Sequence, residues 1–333
     1  MSNKASFHSE MGTQIVIILL ANDISPSARA ELAGSKYMPA EVLAKLAEDE
    51  EIEVLEKVAG NPNTPANVLE KLAGIKAWDV LFTVAMNENT PTSVLCKLAK
   101  DSNWAIRQVV AKNRRTPSEI LIKLAEDTDF DVREGVAENE NAPIECLEKL
   151  ANDPSIVVRK AVARNLKTPV KVLEKFVDDG IVGVINEVAA NKNTPADVLA
   201  KLVDYESVWI VLASNENTPA DVLATIAKHS WRSEVRCNVA ANKNTPIAVL
   251  EELANDDNAK VRCNVAGNEN TPAEVLTKLA DDWYFESRRN VAANKNTPVE
   301  VLTKLAKDDK FAVREAVARN KKAPNEVFGL RGK

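Results

Sequence analysis

The amino-acid sequence predicts an all-α solenoid of about eleven helix-turn-helix repeats, each 26 residues long, and three observations carry that expectation. Prolines recur at Pro39, Pro65, Pro91, Pro117, Pro143, Pro169, Pro195, Pro219, Pro246, Pro272, Pro298 and Pro324, a period of 26 broken by one step of 24 and one of 27. Behind each proline runs an apolar stripe at helical spacing, as in Val198, Leu199, Leu202 and Val203 or Val275, Leu276, Leu279 and Ala280. Every complete unit then ends in asparagine, from Asn61, Asn87 and Asn113 through to Asn320. A fixed period of this size marks a unit that cannot bury its apolar face alone and stacks on its neighbours.

Taken in order, the chain opens on Gln14 to Asn22, a degenerate second helix whose core is the apolar run Ile15 to Leu20. That run is too short to span a membrane, and Glu10 with weak basic flanking argues against a signal peptide. Left exposed, it offers a route to self-association. Ser25-Pro26 leads into a half-unit, Ser27 to Gly34, which ends at Met38-Pro39. Residues 1–38 are therefore read as an N-terminal cap, 39–323 as tandem repeats, and 324–333 as a partial repeat with a basic tail.

Within a unit, Thr194 is the expected N-cap, Pro195 the first helical residue and Asp197 a capping-box-like acid; Thr271-Pro272-Ala273-Glu274 repeats the pattern. Glu41 and Lys45, Glu119 and Lys123, Glu145 and Lys149, Glu274 and Lys278, and Glu300 and Lys304 stand four residues apart and mark the solvated face of this first helix. A second helix follows, with Phe130, Val132, Val136 and Ala137 as its stripe, or Phe311, Val313, Val317 and Ala318. Trp78 and Trp104 hold the place of Phe130, Ile156 and Phe311, and are assigned to the core with them. The closing asparagine is read as a C-terminal stop in the left-handed conformation, against the rival of an asparagine-lined ligand strip.

The unit Asn-x-Asn-Thr-Pro-x-x-Val-Leu-x-Lys-Leu-Ala-x-Asp, followed by Val-Arg-x-x-Val-Ala-x-Asn, resembles the leucine-rich repeat variant family, a branch of the HEAT-like helical repeats. The resemblance covers roughly residues 39 to 328 and implies paired helices in a right-handed superhelix, HEAT- or armadillo-like, without β-sheet. It departs from the founding member in having no cysteine cluster before the repeats, and its longer units imply a fuller second helix. HEAT-like proteins also use a turn aspartate and an arginine six residues on as a ladder between units. Here Asp101 and Arg107, Asp127 and Arg133, Asp153 and Arg159, Asp256 and Arg262, Asp282 and Arg288, and Asp308 and Arg314 keep that spacing. Leu55, Leu81, Ile185 and Trp209 replace the arginine and break the ladder. A planar guanidinium satisfies several partly buried acceptors at once, so a structural role is expected over a phosphate track.

Composition narrows the function. Lys and Arg number 43 against 49 Asp and Glu, a net charge of −6 that argues against general nucleic-acid binding and toward a protein or peptide partner, basic in character. Acid is densest at Glu48 to Glu56 and again from Glu126 to Glu140. Cys96, Cys146, Cys237 and Cys263 have neither metal-ligand nor disulfide spacing and imply a reduced, cytoplasmic protein with no metal and no cofactor. His8 and His229 are the only histidines and no Gly-rich phosphate loop is present, so no catalytic constellation is recognisable. The expected activity is a non-catalytic interaction scaffold whose second helices line a groove. The alternatives are a HEAT-like enzyme or ligand binder resembling DNA glycosylases or phycobilin lyases, and a self-assembling structural protein.

The repeat's one irregularity nominates a site. Between Pro195 and Pro246, where the spacing falters, Trp209 replaces the ladder arginine beside Ile210, and Tyr205 replaces the turn aspartate. His229, Trp231 and Arg232 occupy the next turn, and Trp283 with Tyr284 lies two units further on. Trp, Tyr and Arg are the side chains most often found as interface hot spots. The competing reading is that these aromatics fill a packing defect.

Overall fold

The structure, a computed structural model, describes residues 25–324, which form twenty-three α-helices and one 3-10 turn with no strand among them. The described residues divide into two compact units, 25–169 and 170–324, and the same helical repeat builds both. First helices of seven residues, such as Ala66–Leu72 and Ala273–Leu279, alternate with second helices of nine, such as Trp78–Met86 and Phe285–Ala293. The apolar run Ile15 to Leu20 lies outside the described residues.

Second helices stack directly on one another, Trp104–Lys112 on Phe130–Glu138 in one unit and Ala259–Gly267 on Phe285–Ala293 in the other, so each stack is tightest along that side. Small residues permit the approach. At Gly135 a Cβ would sit 2.9 Å from the Gln108 carbonyl oxygen and 3.1 Å from the Ala111 methyl, which leaves room only for glycine. Beneath each stack lies an apolar core, built in one repeat of the first unit from Val68, Leu69 and Leu72 of the first helix and Val80, Val84 and Ala85 of the second, all buried. Each buried valine or leucine contributes about 1.5–3 kcal/mol.

Three expectations about the turns are corrected. The threonine is no N-cap: in Ala196–Ala200 the capping position is Pro195 and no side chain caps the helix. Buried Thr194 instead turns its hydroxyl back to donate to the Val188 carbonyl at 2.7 Å, and Thr64, Thr90 and Thr297 do the same at 2.5 Å to Val58, Val84 and Val291. Nor is the asparagine left-handed. Asn139 has φ −67 and ψ 122, and no non-glycine residue among those described has positive φ. Its Nδ2 donates to Ala111 O at 2.6 Å and Asn113 O at 3.0 Å in the preceding repeat, while its Oδ1 accepts the Asn141 amide at 2.7 Å. Asn87, Asn268 and Asn294 make the equivalent bonds, so the closing asparagines are a buried rail from repeat to repeat and not a ligand strip. Last, the first-helix lysines pass over the glutamate four residues back. Lys149 reaches Glu126 and Lys304 reaches Asp281, acids of the previous repeat, in exposed pairs that contribute little.

The half-unit also takes a different place. Pro26–Gly34, capped by Ser25, packs on Ile52–Gly60 as a second helix, and Asn61 Nδ2 bonds Ala33 O at 2.6 Å and Ser35 O at 2.8 Å. Second helices are α throughout the described residues except in the shortened repeat. There the two missing residues leave a five-residue first helix, Ala196–Ala200, and a 3-10 turn, Glu206–Val208, ahead of Trp209–Ser214.

Candidate interaction surface

The first residue of a second helix sits roughly 200° around the axis from the buried valine two places on, and shares a face with the residue four places on. In the first unit that residue is Ile52, Trp78, Trp104, Phe130 and Ile156, and the one four places on is Glu56, Phe82, Gln108, Glu134 and Lys160. The polar character of four of the second set, all but Phe82, is the signal that marks the face as solvated. Between 41% and 49% of each of the five apolar residues is exposed, which corrects the assignment of Trp78 and Trp104 to the core. Trp78 stacks on Phe82 with ring centroids 5.3 Å apart. Carboxylates flank the row: Glu53, Asp79 and Asp131 one residue on, and Glu134 four on. Among the described residues none of these four forms an ion pair. Burial, then repulsion from Glu138, pushes the Glu134 carboxyl above its ordinary pKa.

The same position in the second unit is held by Val182, Glu206, Ser233, Ala259, Phe285 and Phe311. Glutamate, serine and alanine are therefore compatible with the repeat, and packing does not demand a large apolar side chain there.

Beside the row runs the arginine ladder. Arg133 sends Nε to Asp153 Oδ2 at 2.6 Å and Nη2 to Asp153 Oδ1 at 3.0 Å, while Nη1 donates to the carbonyl of Asp127, six residues back, at 2.8 Å. Arg107 joins Asp127, Arg262 joins Asp282 and Arg288 joins Asp308 in the same geometry. Arg159 and Arg314 donate to the carbonyls of Asp153 at 2.7 Å and Asp308 at 2.6 Å. Asp101 accepts the Asn103 amide. Two further rungs join Arg29 to Asp49 and Arg236 to Asp256; Arg236 has Ser230 six residues back, and a spacing of 20, arginine to the next repeat's aspartate, finds both. Burial pulls the Asp127, Asp256, Asp282 and Asp308 carboxyls upward, but the guanidinium and a backbone amide outweigh it and hold each below its ordinary value.

Of the residues at the irregular repeats, Trp209 is 7% exposed and its Nε1 donates to Val203 O at 2.7 Å, the carbonyl six residues back that an arginine would otherwise take. It fills the ladder and presents no surface. Tyr205, half-buried, donates to Val177 O at 3.1 Å, and the Ile210 carbonyl accepts from Asn238. Trp231 and Trp283 occupy equivalent turn positions and are 84% and 75% exposed, with His229 exposed and Arg232 half-buried. Trp283 lies 5.7 Å from Tyr284, has Arg262 over its ring at 5.7 Å, and lines with Tyr284, Ser233, Cys237 and Lys260 a cleft of about 580 Å³. The structure thus joins Trp283 to Tyr284 and leaves Trp231 two repeats away.

Nucleophilic chemistry is poorly served. Burial raises the thiols of Cys237 and Cys263 and pushes Cys146 up to about 11, so they are protonated near neutrality. No group of three or more His, Cys, Asp or Glu among the described residues could hold a metal ion, and no described helix is long and apolar enough to cross a membrane.

Stacked helix pairs tied by periodic side-chain rails define a helical-repeat protein. The leucine rich repeat variant family model matches residues 130–155 and 234–258, which bears out the resemblance on those two repeats. The chain is similar to a solved leucine-rich repeat variant described as having a novel repetitive protein structural motif, at 25% identity over 66% of this chain and 88% of that chain, TM-score 0.49. It also aligns with Kap121p bound to RanGTP at 12% identity over 91% of this chain and 47% of that one, TM-score 0.45. An engineered protein aligns at 17% identity over 88% of this chain and 92% of that one, TM-score 0.25. No curated protein matches the chain.

Proposed function

We propose that this chain is a non-catalytic scaffold that binds a protein or peptide partner along the second helices of residues 52–160. One observation carries the reading: five successive repeats keep a large apolar side chain at a half-exposed position where the second unit's repeats place Glu206, Ser233 and Ala259. A displayed apolar row that packing does not require marks an interaction surface. Trp231, Trp283 and Tyr284 are a second contact of the same kind in the other unit. The paired ladder arginines and the net charge of −6 speak against general nucleic-acid binding. The four unbridged cysteines fit a reducing compartment such as the cytoplasm.

The test is a comparison of Trp104→Lys/Phe130→Lys with the natural chain as bait in an extract of the native host. Lysine stems cover the underlying apolar surface while their charges reverse the chemistry of the row. The expected result is loss of specific partners at unchanged helicity; an identical captured set would refute the proposal.

A further inference from the structure

We infer that the partner segment is an extended chain of about ten to twelve residues that sets lysines or arginines among apolar side chains. The inference rests on the scaffold reading and deepens it. Its length follows from the repeat: Ile52 to Ile156 spans four steps of roughly 8–10 Å between packed helices, and an extended chain advances about 3.3 Å per residue. One side chain in every two or three then meets a repeat.

Its charge follows from what the row lacks. Glu53, Asp79, Asp131 and Glu134 stand beside the apolar residues and, among the described residues, none has an ion-pair partner. The neighbouring acids Asp127 and Asp153 are already matched by Arg107 and Arg133, so the unmatched set belongs to the row. Burial, then repulsion from Glu138, raises the Glu134 carboxyl against the weaker pull of Lys112 and Arg164, so a further cation in the groove favours its charged form.

The aromatic faces carry the same message. In the second unit Arg262 covers Trp283 at 5.7 Å and Arg314 covers Phe311 at 5.8 Å, so those faces hold cations of their own. Among the described residues no lysine or arginine covers Trp78, Trp104 or Phe130. A Trp face bordered by unpaired carboxylates is a receptor for an incoming guanidinium or ammonium group.

A phage-displayed library of random 12-residue peptides, panned on the full chain, tests this. Enriched peptides are made synthetically and their Kd measured against the natural chain, Trp78→Lys/Trp104→Lys, and Glu53→Gln/Asp79→Asn/Asp131→Asn. The expected peptides carry several Lys or Arg between apolar residues. They bind about tenfold more weakly to the neutralised triple variant, and likewise at 0.5 M salt, and lose binding to the lysine double variant. Peptides that are acidic or uncharged, or that ignore the triple variant, overturn the inference while leaving the row as the binding surface. Peptides that bind the lysine double variant as tightly as the natural chain overturn the row itself. Failure to enrich any peptide overturns an extended partner, and the bait comparison then judges the scaffold reading alone.

Discussion

Replacing Asn139 with alanine removes a rung whose three hydrogen bonds are made almost wholly out of water. The residue is 2% exposed; it donates to Ala111 O at 2.6 Å and Asn113 O at 3.0 Å, and accepts from the Asn141 amide at 2.7 Å. At about 1 kcal/mol net for each bond, and more where a buried group is left unpaired, Asn139→Ala should cost about 3 kcal/mol, within a range of roughly 2–5. Asn141→Ala is the internal control. Asn141 donates to the Arg114 carbonyl at 2.8 Å from an exposed position, so its loss should cost about 0.5 kcal/mol, because water replaces the bond. Asn139→Asp adds a pH signature. A buried carboxylate facing two carbonyls has its folded pKa raised above the unfolded value of about 3.9, so its penalty is full above the folded pKa and relieved as pH falls through it. The variant should be more destabilised relative to the natural chain at pH 8 than at pH 5. Urea melts followed by circular dichroism measure all three. Equal midpoints for Asn139→Ala and Asn141→Ala, or a cost below about 0.5 kcal/mol for the former, would refute the claim that the rail couples the repeats.

Arg133→Ala, which frees a mostly buried Asp153 carboxylate and the Asp127 carbonyl, should lower stability by about 2–3 kcal/mol, and Arg133→Lys should not rescue it because an ammonium cannot reproduce the fork. An alanine variant as stable as the natural chain would count against the ladder. Because Asp127, Asp256, Asp282 and Asp308 have folded pKa values depressed by their arginines, their contribution is complete above the unfolded value of about 3.9 and lost as pH falls through the lower folded values. The ladder's share of the urea midpoint should accordingly be intact at about pH 5 and begin to fall only below about pH 4, and a loss already present at about pH 5 in the natural chain but reduced in Arg107→Ala would contradict that sign. Ser287 is fully buried where Val261 and Val313 stand in the adjacent repeats, and its hydroxyl has no partner, so Ser287→Val should stabilise by about 1 kcal/mol; a lower midpoint would show that the hydroxyl has a role.

The repeat, the alternation of two helices and the buried Val-Leu stripes were legible in the sequence because they follow from periodicity alone. The roles of the turn residues were not. Asparagine and threonine have strong local preferences, for stops and caps, and Asn139 and Thr194 override them to satisfy carbonyls that only the folded turns bring into reach. Arg236 escapes the six-residue spacing because Ser230 stands where the turn aspartate would; the ladder between repeats has a spacing of 20, whereas the six-residue spacing reports the arginine's bond to its own turn. Trp78 and Trp104 were misplaced for a related reason: an apolar residue at a fixed repeat position reads as core, and only its face, shared with Gln108, Glu134 and Lys160, shows otherwise. Trp209 erred in the opposite direction. It stands where an arginine is normal, yet the 24-residue spacing closes the turn over it.

The claim on which the functional account depends is that the first unit displays its aromatic row, and hydroxyl-radical footprinting of the free chain read by mass spectrometry tests that most directly. The five tryptophans are graded standards, with Trp231 and Trp283 at 84% and 75% exposed, Trp78 and Trp104 at 49% and 44%, and Trp209 at 7%. Oxidation rates should follow that order, with Trp78 and Trp104 well above Trp209 and falling toward it when a bound peptide covers the row. Trp78 and Trp104 as unreactive as Trp209 in the free chain would place them in the core and remove the surface on which the account is built.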